Sequence, residues 1–525
     1  METNNIAVIG GGVSGITALK YLKDKNLKAD LFEGRSNIAG LWNPTEGFVW
    51  NEMTTNLSQY NNQFTDFFWP IKPPSLPACT EVFKYMESYL KQNKLDEFHN
   101  IRLNSYVKGV SKTKEGKYSV EVVYSDAKIK DANERKEVLI YENVIICTGA
   151  NNDFKIPTIE NFENYKGDYI HSSQFKSPIE LVKKYENILV VGGAASSINI
   201  IEHLNIAKKM NNLNNKLTIC FRNLPYLYMS DFIEEDTGYH ITNDARFFKR
   251  KTDVFKDHYM DETEIKIKAE ASIQGYNKHA ETYYKDLFPL FEKLELKYGK
   301  IIRVSAYKEL FKNLRNNELN LMPVIKRVVG EESKEIEFAN NEKSKYDLII
   351  FGTGYNTNLN YIDKEILKDL DYSPNNYFYP LMLYRGIFHN NQKGLFFLGT
   401  FCRQYITGGE LQGEYIASLI SKEREYPSNP QFEEILEKEK LLKKVNDRFD
   451  VPWVHTHYWD TLANDLGCYP NFDLIKERDI ELYDVLMKLP VYGFQYRLFK
   501  NNELVGKDQY ERLREYVMQI KDFFK

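Results

Sequence analysis

The segment Ile6-Ala7-Val8-Ile9-Gly10-Gly11-Gly12-Val13-Ser14-Gly15 decides the fold. Four apolar residues make a short buried strand, glycines follow at G-x-G-x-x-G spacing, and Ile16, Leu19 and Leu22 then recur at helical intervals. The order is strand, tight turn, helix. In this pattern Gly10 permits the turn, Gly12 lets a pyrophosphate approach the backbone, and Gly15 lets helix pack on strand; the amides of Val13 and Ser14, at the helix N-terminus, face the phosphates. Ala29 to Phe32 reads as the next strand and ends in Glu33, eighteen residues after Gly15, where a carboxylate accepts from ribose hydroxyls. A glycine-rich turn beside a surface glutamate is the plainer alternative. The strands on both sides of the helix argue against it.

The pattern then repeats. Ile188 to Val191 leads into Gly192-Gly193-Ala194-Ala195-Ser196-Ser197 and a helix carrying Ile198, Ile200 and Leu204. Ala194 and Ser197 replace glycines but are small enough for close approach, and Ser196 can donate to a phosphate oxygen. The following strand, Leu217 to Phe221, ends in Arg222 rather than an acid, which suits the 2′-phosphate of NADP. Each unit is closed by a buried strand and a Thr-Gly turn: Val144 to Cys147 before Thr148-Gly149, and Tyr346 to Phe351 before Gly352-Thr353-Gly354. The expected fold is α/β, with two Rossmann-like dinucleotide-binding domains in a glutathione-reductase-like two-domain architecture.

Short alternating runs predict β-meander insertions, one from Tyr106–Val110, Tyr118–Val123 and Val138–Tyr141, another from Ile301–Val304, Leu321–Val329 and Glu335–Phe338. The domains expected are 1–160 (first part of the first unit), 161–340 (second unit, with 225–300 inserted), 341–440 (return to the first) and 441–525 (a C-terminal helical extension). A helix is expected from Ala280 to Leu296, kinked or broken at Pro289. Tyr510, Leu513, Val517, Ile520 and Phe524 form a helical stripe suited to packing on the body.

At 525 residues the chain exceeds one ordinary core. Its 70 Lys and Arg against 74 Asp and Glu, interspersed, leave a net charge of −4 and no electrostatic footprint for nucleic acid. The five cysteines, Cys79, Cys147, Cys220, Cys402 and Cys468, lie far apart; that argues for a reducing compartment and against a zinc site or a dithiol pair. His455 and His457 flank Thr456 without a third ligand at readable spacing, so no metal is expected. The first strand leaves no room for a signal peptide, and no apolar run is long enough to span a membrane. A cytoplasmic address is expected, and a homodimer is compatible with the sequence.

Between the two units lies Tyr165-Lys166-Gly167-Asp168-Tyr169-Ile170-His171-Ser172-Ser173-Gln174-Phe175, which is similar to the signature F-x-G-x-x-x-H-x-x-x-[YF] of the flavin-containing monooxygenases, with Tyr165 for the usual Phe. The Baeyer–Villiger form of that signature ends in Trp followed by Pro or Asp, where this chain has Phe175-Lys176. Further resemblances are Thr55-Asn56 with the following Phe64-Thr65-Asp66-Phe67-Phe68-Trp69-Pro70, Leu383-Tyr384-Arg385-Gly386-Ile387-Phe388, Glu410-Leu411-Gln412, and the tail motifs Tyr458 to Ala463 and Gln495 to Leu498. The second glycine motif departs from the family pattern. The apolar anchoring tail of animal members is also missing, which predicts a soluble enzyme.

The resemblance implies FAD at the first unit and NADPH at the second. Reduced flavin would take up O2 at C4a, and retained NADP+ would shield the hydroperoxide until a soft nucleophile, an amine N or a sulfide or thiol S, attacks it. Asn56 is the expected hydrogen-bond donor beside peroxide and nicotinamide, because its amide offers two N–H groups. Gly40, Leu41, Trp42, Thr55, Thr148, Gly149, Gly354 and Gln412 complete the expected cofactor contacts; taken alone Trp42 reads more readily as a core residue, and an Asx turn is the plainer alternative for Asn56. His171 is assigned to coupling the two domains during NADPH binding, not to proton transfer. A ketone-oxidising Baeyer–Villiger enzyme, an NADPH oxidase releasing H2O2, and a non-catalytic FAD-binding redox sensor remain the alternatives.

Overall fold

The computed structural model describes residues 5–69, 76–124, 135–229, 231–233, 240–242, isolated positions between 244 and 281, then 285–296, 298–306, 309–376, 378–400, 405–446 and 455–523. Pro70, Ala280, Cys402 and Phe524, named above, lie outside these residues. The first unit is a five-stranded, wholly parallel sheet with order β22-β7-β1-β2-β3, built from β1 (Ile6–Ile9), β2 (Asp30–Phe32), β3 (Asn100–Arg102), β7 (Asn143–Ile146) and β22 (Leu395–Phe397). Parallel strands are covered on both faces, which is why β1, β2 and β22 are buried at every position. The helix Val13–Asp24 crosses from β1 to β2. A side chain at Gly413 would stand 2.9 Å from the Tyr21 ring, so helix Tyr405–Ile420 packs closely on that first helix.

The second unit repeats the design with order β16-β11-β10-β20-β9: β9 (Asp168–His171), β10 (Asn187–Val191), β11 (Lys216–Cys220), β16 (Asn320–Met322) and β20 (Leu348–Phe351), again all parallel. β7 lies beside β1 and β20 beside β10 in matching places, so the two Thr-Gly turns fall at equivalent points. β20 belongs to this second sheet. The second unit therefore runs past residue 340, where the sequence suggested a boundary, because Leu348 to Phe351 are buried between β10 and β9.

The first expected meander is present as β4 (Ser105–Lys112), β5 (Tyr118–Tyr124) and β6 (Arg135–Tyr141), paired antiparallel. The second is assembled differently. Ile301 to Val304 belong to β15 (Tyr298–Ala306), which pairs parallel with β12 (Leu224–Met229); Leu321 lies in β16, and the meander is β17 (Ile325–Val328), β18 (Glu335–Phe338) and β19 (Lys343–Lys345). Pro289 stands in the first turn of the short helix Phe288–Lys293, where its missing N–H costs nothing, and most of the expected helix's start, 280–284, lies outside the described residues.

Two crossings join the units. They are β8 (Asp153–Phe154) on the way out and β21 (Tyr355–Asn356) on the way back, and they pair with each other as an antiparallel ribbon. A short hairpin, β13 (Asp231–Ile233) with β14 (His240–Thr242), precedes Asp244, Phe248 and Arg250, which tie the inserted region to the rest. Arg250 and Asp460 form a buried bidentate pair at 2.8 Å, with the Tyr496 hydroxyl donating to the same carboxylate at 2.7 Å. Tyr510, Leu513, Val517 and Ile520 of helix Lys507–Phe523 are buried, as the stripe predicts.

Candidate functional site

The first dinucleotide turn sits at the C-terminal edge of its sheet, the usual place for a ligand in an open α/β fold. A Cβ on Gly15 would stand 1.9 Å from the Gly10 carbonyl oxygen, so only glycine lets the helix close on the turn. A Cβ on Gly12 would meet nothing nearer than the Gly40 Cα at 3.6 Å. Packing within the chain does not demand a glycine at position 12, and the open space is what phosphate access would require. Helix Val13–Asp24 has no side-chain cap and no acid in its first turn, whereas helices Pro178–Lys184, Lys364–Asp369, Phe472–Arg478 and Ile480–Lys488 are each capped by a side chain. Its leading N–H groups, those of Val13 and Ser14 included, take no side-chain cap, the arrangement that a bound pyrophosphate would need.

Glu33 is buried. One carboxylate oxygen accepts from the Gly11 amide at 2.7 Å and the other from the Arg35 amide at 2.9 Å, which fixes the turn and leaves each oxygen lone-pair capacity for a ribose. Gly40, Leu41 and Trp42 form a single 3-10 turn against the glycine turn, joined by the Ala39 amide bonding Gly11 O at 2.9 Å. Leu41 is exposed and Trp42 half-buried against the first core. At the other side Gly149 has φ +76° with open space where a side chain would be, and the Thr148 hydroxyl lies 3.1 Å from that of Tyr361.

The second turn explains its own irregularity. Ser197 is fully buried where a third glycine is usual, and its hydroxyl donates to the Ala194 carbonyl at 2.9 Å. The room comes from the neighbouring strand: a Cβ on Gly352 would stand 2.7 Å from Ser197 Cβ, and one on Gly192 would stand 2.5 Å from Gly352 O. Gly352 supplies the space that Ser197 takes. Helix Ala195–Met210 likewise starts without a side-chain cap or a first-turn acid, and Ser196 is half-buried at its head. Arg222 is exposed just past β11, and Gly354 has φ +83° with open space beside it.

His171 ends β9 in full burial. Its Nδ1 accepts from the Ser173 amide at 3.2 Å, so Nε2 carries the proton and donates to Gly354 O, also at 3.2 Å. Phe154 stacks on the ring and Tyr355 meets it edge-on, both from the crossing ribbon. Burial holds its pKa below the usual histidine value.

Asn56 is exposed on a bend whose flanks are fixed. The buried Thr55 donates its amide to Pro77 O and its hydroxyl to Leu57 O, each at 2.8 Å, and the Ser58 amide donates to the buried Asp244 at 2.9 Å. Asp244, from the inserted region, therefore backs this bend. Gln412 is fully buried in helix Tyr405–Ile420, its amide bonding the Tyr458 hydroxyl at 2.6 Å while its carbonyl oxygen has no partner among the described residues. Sequence reasoning names Gly352 only as part of a turn and Lys176 only as the end of the signature, without the contacts they make, and it misses Gly399. Gly399 has φ +79° and leaves the space that Ser14 Oγ occupies, 2.0 Å from where its Cβ would be, a contact foreshadowed only by Gly399-Thr400 closing a buried strand.

Two parallel sheets, each with an uncapped helix behind a glycine turn, define a protein of two dinucleotide sites, and the residues fit FAD at the first and NADPH at the second. The model of the flavin-binding monooxygenase-like family matches residues 3–523, and the chain belongs to that family. It is a flavin monooxygenase whose cofactors are FAD and NADPH. Human flavin-containing monooxygenase 5 is 25% identical over 527 residues, covering 95% of this chain and 89% of that protein. Among solved structures, an open form of cyclohexanone monooxygenase superposes with TM-score 0.63 at 15% identity, covering 88% of this chain and 98% of that one. OTEMO in complex with FAD and NADP gives 0.61 at 16% identity, covering 85% and 90%. At such identities these two likenesses speak to the fold. Among the described residues no helix is long and apolar enough to cross a membrane.

Proposed function

We propose that the chain oxygenates a soft nucleophile, an amine nitrogen or a sulfide or thiol sulfur, consuming NADPH, a proton and O2 and releasing NADP+ and water with the N- or S-oxide. The observation that carries this reading is Phe175-Lys176 at the end of the linking signature, in place of the Trp with Pro or Asp of the ketone-oxidising form. Sequence similarity to a flavin-containing monooxygenase over nearly the whole chain supports it.

FAD and NADPH supply the electron transfer and the activation of O2 when bound. The chain's residues orient and enclose. The two uncapped helices would hold the pyrophosphates, Glu33 the flavin-side ribose and Arg222 the 2′-phosphate. Asn56, held on its bend, would donate N–H to the reacting oxygen, and the aromatic wall of Phe64, Phe67 and Trp69 packed on Tyr85 and Tyr89 would help exclude water.

The test is anaerobic reduction of the purified yellow protein by NADPH, then aerated turnover with trimethylamine, a methyl sulfide or cyclohexanone, quantifying NADPH, oxygenated product and H2O2. N- or S-oxide in near-stoichiometric yield is expected. Ester from the ketone would point to the Baeyer–Villiger reading, stoichiometric H2O2 with every substrate to an oxidase, and no reduction to a redox sensor.

A further inference from the structure

The segment between the flavin turn and Asn56 is anchored in the second unit. It starts at the 3-10 turn Gly40–Trp42 beside the glycine turn and winds tightly: Asn43 Oδ1 accepts from the amides of Thr45 and Glu46 at 3.0 and 3.1 Å, and a Cβ on Gly47 would stand 2.3 and 2.4 Å from the carbonyls of Leu41 and Asn43. Trp50 then leaves the first unit. It is buried in the second unit's core, with Phe175 edge-on at 5.5 Å and His203 at 5.9 Å.

From the second unit Lys176 reaches back. Its ammonium donates to the carbonyls of Gly47 at 2.7 Å, Val49 at 3.0 Å and Pro44 at 3.5 Å, while its own carbonyl accepts from the Asn51 amide at 3.1 Å. Three main-chain carbonyls converging on one point repel one another unless a cation fills the centre. Here the cation comes from the residue after the linking signature, half-buried, and its three N–H groups match the three carbonyls.

We propose that Lys176 is a positioning residue: by filling this carbonyl cage it fixes the 40–56 segment, and with it Asn56, relative to the NADPH turn. The inference rests on the monooxygenase reading above. It gives Lys176 no contact with substrate or flavin. Its effect is on geometry between the units, to which coupled reactions are steeply sensitive.

The test compares FAD-loaded wild type, Lys176→Met and Lys176→Arg in NADP+ affinity by flavin fluorescence, FAD content, anaerobic reduction by NADPH, and H2O2 released per NADPH. Lys176→Met is expected to keep its FAD, to bind NADP+ about tenfold more weakly and to divert most NADPH to H2O2, while Lys176→Arg, which keeps the charge, recovers to within about threefold of wild type. Should Lys176→Met fail to fold, Trp50→Phe loosens the other anchor and is expected to move the same readouts the same way. Wild type that NADPH does not reduce would sink the functional reading. Wild type that is reduced, beside a Lys176→Met matching it in NADP+ affinity and H2O2 yield, would overturn the role of Lys176 alone, as would an arginine variant no better than the methionine.

Discussion

The Nε2–H of His171 donates to the carbonyl of Gly354 at 3.2 Å, and that carbonyl also accepts from the Lys155 amide at 3.0 Å. One carbonyl, through two bonds, thus ties the end of β9 to both strands of the ribbon joining the two units. Burial holds the imidazole neutral by lowering its pKa. Above about pH 6.5 folded and unfolded chains both carry neutral His171, and it adds no pH dependence. Below that the unfolded chain takes a proton the folded one refuses, so stability falls with pH until the lowered pKa is reached. Between about pH 7 and pH 5 the melting temperature of wild type is expected to fall more steeply than that of His171→Gln. Equal slopes would mean that His171 is not the titrating group.

The two glycines of the first motif are expected to fail in different ways. Gly15→Ala would press a methyl against Gly10 O at 1.9 Å and lower stability by about 3 kcal/mol or more, seen as loss of soluble protein. Gly12→Ala meets only an ordinary contact at 3.6 Å and is expected to keep its melting temperature when flavin-free. Its methyl occupies phosphate space, so FAD affinity drops by about tenfold or more. An FAD titration of refolded apoprotein beside a melting curve separates the two. A Gly12→Ala that binds FAD normally would place the pyrophosphate elsewhere.

What the sequence made legible is what local chemistry writes down. The strand-glycine-helix units, the first meander and the apolar stripe of the last helix each follow from spacing within a few residues. The second meander was misread because Ile301 to Val304 carry a strand pattern without a partner; the partner, β12, lies far back in the chain. Gly352 under Ser197 was equally hidden. That compensation exists only once β20 lies beside β10. Lys176 and Trp50 belong to contacts between units, for which neither periodicity nor a turn signal gives warning.

The proposed coenzyme preference turns on Arg222. It stands exposed two residues past the end of β11, where the acid of an NAD-type unit would be. A guanidinium there gains strong, often bidentate, ionic hydrogen bonds to a 2′-phosphate that a bare ribose hydroxyl cannot match. Arg222→Gln is expected to raise KM for NADPH about 10- to 100-fold and leave that for NADH within about twofold. Steady-state rates with both coenzymes decide it. A parallel rise for NADH would mean that Arg222 supports the fold of the turn instead.

The bend that carries Asn56 is clamped on both sides: Thr55 is held through its amide to Pro77 and through its hydroxyl to Leu57, and Ser58 is bonded to Asp244. Replacing the exposed Asn56 should therefore leave the bend, the FAD content and the rate of reduction by NADPH nearly unchanged. Asn56→Ala removes both amide N–H groups, and Asn56→Asp keeps the shape while exchanging donors for acceptors. If the side chain donates to the reacting oxygen, both variants are expected to lose product by roughly 10²- to 10³-fold, with H2O2 making up the NADPH consumed. The carboxylate cannot rescue a missing donor, so equal losses in Ala and Asp are the signature. An aspartate variant with near-normal product yield would show that shape, not hydrogen-bond donation, is what the position supplies.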